Sequence, residues 1–129
     1  MEHLSETQRE ELREQLEGQR MKIHGDRKEE LKSVGQRQAM DVGDTQDAAS
    51  GEESRQRSVA LLAKYDHMLG EIEDALQRLE HRTFGFCEET DEPIPYDRLR
   101  VHPATRYTVT SQELLESRRG GDKEETSAY

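Results

Sequence analysis

The chain has no tryptophan, one cysteine, three prolines, two phenylalanines and four tyrosines among 129 residues. Only 30% of it is hydrophobic, which is too little apolar volume for a thick globular core. A single cysteine excludes an internal disulfide and any multi-cysteine metal site. The first twenty residues contain no apolar run of the kind a signal peptide needs, and no stretch approaches the ~18 apolar residues of a membrane helix. A cytoplasmic location without membrane association is expected. Basic charge is also scarce: 19 Lys and Arg stand against 29 Asp and Glu, for a net charge of −10. A chain this acidic repels nucleic-acid backbones, so sequence-specific DNA binding is not expected.

What is present is charge and helical periodicity. Charged residues make up 37% of the chain. That composition suits long helices that each bury a narrow stripe, and the competing reading is disorder. Residues 1 to about 33 read as a first helix, rich in Glu, Gln, Arg and Lys. Ser5 and Gln8 form a capping-box pattern, and Leu12, Leu16, Ile23, Leu31 and Val34 roughly keep one face. Residues 54–82 read as a second, stronger helix. Its seam is Val59, Leu62, Tyr65, Leu69, Ile72, Leu76 and Leu79, at spacings of three and four. The stretch 41–53 holds five acids and no Lys or Arg, with Gly43 and Gly51 as breaks and Ser50 as a candidate N-cap. It reads as a turn joining the two helices into an antiparallel hairpin. The intermolecular alternative pairs the second helix with another copy of itself.

Residues 84–107 gather the three prolines and read as compact and irregular, with two short strands around Cys87 and Pro95. Phe84, Phe86, Ile94, Tyr96, Leu99, Val101 and Tyr107 are the candidate miniature core. A last helix is expected from Gln112 to about Arg118, capped by Thr110 or Ser111, with Leu114 and Leu115 facing inward. A disordered tail is expected over 120–129. The expected fold class is therefore mainly α: a long two-helix coiled-coil hairpin over 1–82, then a small module with a C-terminal helix over 83–119.

The small module has the frame of a zinc finger and little of its chemistry. Cys87 stands where a C-x2-C pair would begin, and the second place of that pair is Thr90. Seventeen residues further on, the second pair is replaced by Thr108 and Ser111. Neutral hydroxyls are poor zinc ligands beside thiolate or imidazole. His81, His102 and Glu89 are near Cys87 in sequence, but no ligand spacing supports them. The expectation is a degenerate finger without zinc, and no other cofactor. Upstream, the turn carries Asp44-Thr45-Gln46-Asp47-Ala48-Ala49, an Asp-x-x-Asp-x-Ala pattern. No nucleophile–base pair or phosphate loop occurs, and exposed Asp44 and Asp47 lack a pocket to tune them, so catalysis is not expected.

The finger frame, with the Asp-x-x-Asp-x-Ala pattern at a fixed distance before it, resembles the DksA/TraR family of bacterial transcription factors, from roughly Asp41 to Glu116. The resemblance implies a bacterial protein that binds RNA polymerase and inserts its hairpin into the secondary channel, modulating promoter complexes and initiation. On that mapping Asp44, Asp47 and Ala49 are the tip residues near the polymerase active site. Well-known members bind the stringent-response alarmone ppGpp through a Lys and an Arg. The matching positions here are Glu71 and His102, so a weak or absent ppGpp response is expected. Arg98, Arg100 and Arg106 are candidates for docking on the channel rim, on charge alone. A monomer is expected. Two alternatives stand beside this reading. One is a hairpin factor of the Gre type, stimulating transcript cleavage. The other is a self-associating coiled-coil adaptor.

Overall fold

The computed structural model describes residues 3–40 and 48–120. Four helices follow in order: α1 (Glu6–Met40), α2 (Ala48–Glu80), α3 (Tyr96–Val101) and α4 (Val109–Gly120). The chain divides into a hairpin unit, Leu16–Asp74, and a finger unit made of Met1–Gln15 with Ala75–Tyr129.

In the hairpin unit α1 and α2 run antiparallel, as the pairs that join them require. Arg20 reaches Glu73, Arg27 reaches Asp66 and Arg37 reaches Ser58, so partners on α2 fall in number as α1 advances. The second-helix seam is thus covered by α1 of the same chain, as the hairpin reading requires. Leu16, Ile23 and Ile72 are the buried apolar residues of this unit. On α2 the most buried line is Ser58, then Tyr65, Ile72 and Leu79, seven residues apart, with Tyr65 half-buried. Seven residues are nearly two helical turns, so these four share a face. Val59 sits one residue, about 100° of helix, off that line. It is 61% exposed, which corrects its place in the expected seam. Leu31 is likewise 45% exposed. The α1 line runs Leu16, Ile23, Glu30, Arg37, and Leu31 lies one step beside it.

Each long helix runs past its expected bound at the end facing residues 41–47 in sequence, while α1 starts later than expected, at Glu6, and α2 ends earlier, at Glu80. α1 continues past Ser33 to Met40, because Gln, Arg, Ala and Met offset the ~1 kcal/mol that Gly35 costs. α2 begins at Ala48 rather than Ser54, so Ser50 lies inside it and is not its cap. Ala48 and Ala49 favour the helix, and Arg55 grips both carboxylate oxygens of Glu52 at 3.0 and 2.9 Å. Residues 41–47, with Asp44 and Asp47, lie outside the described residues, as does the expected tail over 121–129.

The finger unit starts with the predicted capping box: Gln8 N–H donates to Ser5 Oγ and Ser5 N–H to Gln8 Oε1, each at 3.0 Å. α2 ends in a Schellman turn. Thr83 N–H donates to the Arg78 carbonyl at 2.9 Å, and Arg82 takes the left-handed conformation at φ 62°. No strand forms among the described residues. Phe86 and Pro93 make a single antiparallel bridge, because Pro93 and Pro95 lack the N–H groups that would extend a ladder. Pro95 instead opens α3, a helix absent from the sequence reading. The core of this unit is Leu4, Leu12, Ala75, Leu79, Phe84, Cys87, Ile94 and Leu99. Val101 is exposed, on the outer side of α3, and does not join it. On α4 Leu115 is half-buried, while Leu114 is exposed, which corrects its expected inward face.

Candidate functional site

The four positions of the degenerate finger meet at one sulfur. A tight turn makes the first half. Cys87 N–H donates to the Glu92 carbonyl and Asp91 N–H to the Cys87 carbonyl, both at 2.8 Å, with Asp91 left-handed at φ 62°. Gly85, at φ +92°, leads into this turn, and a Cβ there would stand 3.1 Å from His3 Cε1 and from Leu4 Cδ1. The second half is the start of α4. Ser111 N–H donates to Thr108 Oγ1 at 3.2 Å, so Thr108 is the N-cap, in place of the expected Thr110 or Ser111. Glu88 N–H donates to the Arg106 carbonyl at 2.8 Å and joins the two halves. An ion pair of Arg106 with the Glu88 carboxylate, at 2.9 Å, closes the same join.

Cys87 is fully buried at this junction. Its Sγ and Ser111 Oγ hydrogen-bond at 3.2 Å, and Thr108 Oγ1 stands 4.0 Å from the sulfur. Burial alone pushes the thiol up. Hydrogen bonds from the Ser111 and Thr90 hydroxyls, and from the backbone of Thr108 and Thr90, outweigh it and bring the pKa down to about 6. The sulfur also faces the first turn of α4, where the helix dipole favours negative charge. The junction therefore surrounds the sulfur with hydroxyls that ease its ionisation. Cys87 is buried, as expected of a small hydrophobe, and the hydroxyls around it favour its thiolate form.

This donor set does not fit zinc. One thiolate and three neutral hydroxyls offer a single good ligand where zinc takes about four. Among the described residues no three His, Cys, Asp or Glu side chains converge on a metal position. His102 is exposed, at the end of α3.

The arginines singled out by charge have internal bonds. Arg98 Nε donates to the Tyr107 carbonyl at 2.9 Å and Nη2 to Thr105 Oγ1 at 3.4 Å, tying α3 to the loop before α4. Arg106 is held by Glu88, whereas Arg100 is exposed, pairs with Asp97 at 3.4 Å and lies over the Tyr96 ring. Ala49 lies in the first turn of α2, and Asp44 and Asp47 fall outside the described residues. Sequence reasoning misses the N-terminal contribution to the finger. His3 Nε2 and the Ile94 carbonyl hydrogen-bond at 2.7 Å, its ring meets Phe86 edge-on at 5.2 Å, and Leu4 is buried. Tyr96 Oη donates to Glu11 at 2.7 Å, and Gln15 to the Arg100 carbonyl at 2.8 Å. Contacts across 85 to 91 residues leave no local sequence signal.

Residues 82–116 match the family described as prokaryotic dksA/traR C4-type zinc finger. The RNA polymerase-binding transcription factor DksA of Caulobacter vibrioides is 34% identical over 83 residues, 64% of this chain and 58% of that protein. The chain thus spans less than two thirds of this curated relative. General stress protein 16O of Bacillus subtilis is 43% identical over 49 residues, 38% of this chain and 30% of that protein. The structure of transcription factor DksA2 from Pseudomonas aeruginosa covers 91% of this chain and 89% of its own, with a TM-score of 0.81 and 32% identity. A Chlamydia trachomatis regulator, at 22% identity and a TM-score of 0.53, shares the fold. No helix among the described residues is long and apolar enough to cross a membrane. With two antiparallel helices, a finger frame converging on Cys87 and this likeness to DksA2, the chain belongs to the DksA/TraR family.

Proposed function

We infer that the protein regulates transcription initiation by binding bacterial RNA polymerase, with the hairpin inserted in the secondary channel. What carries this reading is the likeness to a transcription factor along 91% of the chain. The Caulobacter relative is named as an RNA polymerase-binding factor, which supplies the partner. Asp44, Asp47 and Ala49 are the working end, placed where carboxylates can meet cations or basic side chains of the polymerase active centre. The protein acts as a cytoplasmic monomer, catalyses nothing itself and makes no sequence-specific DNA contact.

The finger works without zinc. Its junction is held by the hydroxyls around the Cys87 sulfur and by the packing of Phe84, Ile94 and Leu99. Arg100 remains the exposed arginine available for docking, while Arg98 and Arg106 shape the module. Glu71 and His102, at the positions where a Lys and an Arg serve ppGpp, give a weak response to that polyphosphate, because an acid repels it.

The test measures polymerase binding and promoter-complex lifetime for the wild type and for Asp44→Asn/Asp47→Asn, with and without ppGpp. Wild type should bind and alter the lifetime, while the double variant binds with little effect and ppGpp changes neither. Failure of the wild type to bind would reduce the family likeness to architecture alone.

A further inference from the structure

In the hairpin unit the interior line of each helix changes character partway along. On α1 it passes from Leu16 and Ile23 to Glu30 and Arg37, and on α2 from Ile72 through Tyr65 to Ser58. Ser58 is only 3% exposed, and its hydroxyl has two partners on the opposite helix. It donates to Glu30 Oε2 at 2.6 Å and accepts from Arg37 Nη2 at 2.5 Å, while Arg37 and Glu30 stand 3.6 Å apart. Apolar residues were at hand for this place. Leu31 lies one residue from half-buried Glu30 and Val59 one residue from buried Ser58, and both face solvent.

An apolar seam repeating every seven residues looks much the same after a slip of seven residues, so burial alone discriminates poorly between alignments. The polar layer is different. Glu30 and Arg37 are themselves seven residues apart, and Ser58 bonds both only when it lies between them. A seven-residue slip takes one of its two partners from the buried hydroxyl and separates Glu30 or Arg37 from the polar layer, and smaller slips break the shared face altogether. We propose that Glu30, Arg37 and Ser58 form a register lock, which fixes the alignment of α1 against α2 and disfavours pairing of either helix with another copy at any other alignment. The lock rests on hairpin geometry alone. Its use, holding in one alignment the helix ends that flank Asp44 and Asp47 in sequence, rests on the function proposed above.

The test places spin labels at Lys28 and Lys64, both exposed, through noncanonical amino acids so that Cys87 stays intact. The full chain should give one narrow distance population and a monomeric mass, unchanged in Ser58→Thr, which keeps the hydroxyl. Glu30→Leu/Arg37→Leu/Ser58→Leu should melt higher yet gain a second, longer-distance population, as a seven-residue slip slides the helices by ~10 Å along their axis, or self-associate. Glu30→Gln/Ser58→Ala, which adds little apolar surface, should broaden the distribution as well. A single wild-type distance and a monomeric mass in both multiple variants would overturn the lock, and so would several populations in the wild type. These readouts involve no polymerase, so they separate failure of the lock from failure of the proposed function.

Discussion

At the residue scale the finger frame is readable and its chemistry is not. The spacing of Cys87, Thr90, Thr108 and Ser111 marks four positions that converge, and the structure brings their donors to one sulfur. The ionisation of that sulfur depends on backbone and hydroxyl directions that no spacing encodes. It has a measurable consequence. The thiol falls from its ordinary 9.0 to about 6 in the folded chain. Between those values the unfolded chain holds a proton that the folded one has released, so stability rises with pH across that window. The gain is complete above 9 and lost as pH falls through 6, with a ceiling of about 4 kcal/mol. Thermal melts followed by circular dichroism from pH 5.5 to 9 should show this slope, and Cys87→Ala should remove it. Equal slopes in the two proteins would mean that the thiol stays protonated. Ser58 shows the opposite failure of legibility. Stepping back by sevens from Leu79, Ile72 and Tyr65 leads to Ser58, but apolarity alone favours its neighbour Val59.

At the element scale, the periodic helices are legible and the short irregular ones are not. α1 and α2 announce themselves through composition and seam, and their extra turns come from good helix formers beyond the glycines that mark expected breaks. α3 hides because a Pro-x-Pro stretch reads as extended, whereas Pro95 actually sets the φ for a helix start. α4 begins three residues early because Thr108 is at once a frame position and its cap. That double duty separates two effects. Thr108→Ala should cost about 1 kcal/mol as a lost cap. It should also raise the Cys87 pKa, read by the pH dependence of its reaction with a small thiol reagent in mild denaturant. Thr108→Ser keeps both contributions and should behave as wild type.

At the scale of the whole molecule, the low apolar content restricts how the chain can be held together. The hairpin unit adds ion pairs and hydrogen bonds, Arg20–Glu73, Arg27–Asp66 and Arg37–Ser58–Glu30, to the burial of Leu16, Ile23 and Ile72. The finger unit draws on N-terminal residues, on Arg98 and on Arg106. The proposed zinc-free state predicts that a strong chelator leaves the melting temperature unchanged and that the purified protein carries far less than one equivalent of zinc by elemental analysis. A large drop on chelation would assign the module a bound ion. The polar layer in the hairpin has one more consequence. Of the described side chains beyond Ile23 on α1 and before Ile72 on α2, Ser58 alone is buried. If this stretch of the two helices parts, the greasy surface that meets water comes from side chains already partly in solvent, Val34, Leu61, Leu62, Tyr65 and Leu69. Such an opening bares less apolar surface than parting a continuous leucine seam would, and so offers neighbouring molecules less to stick to.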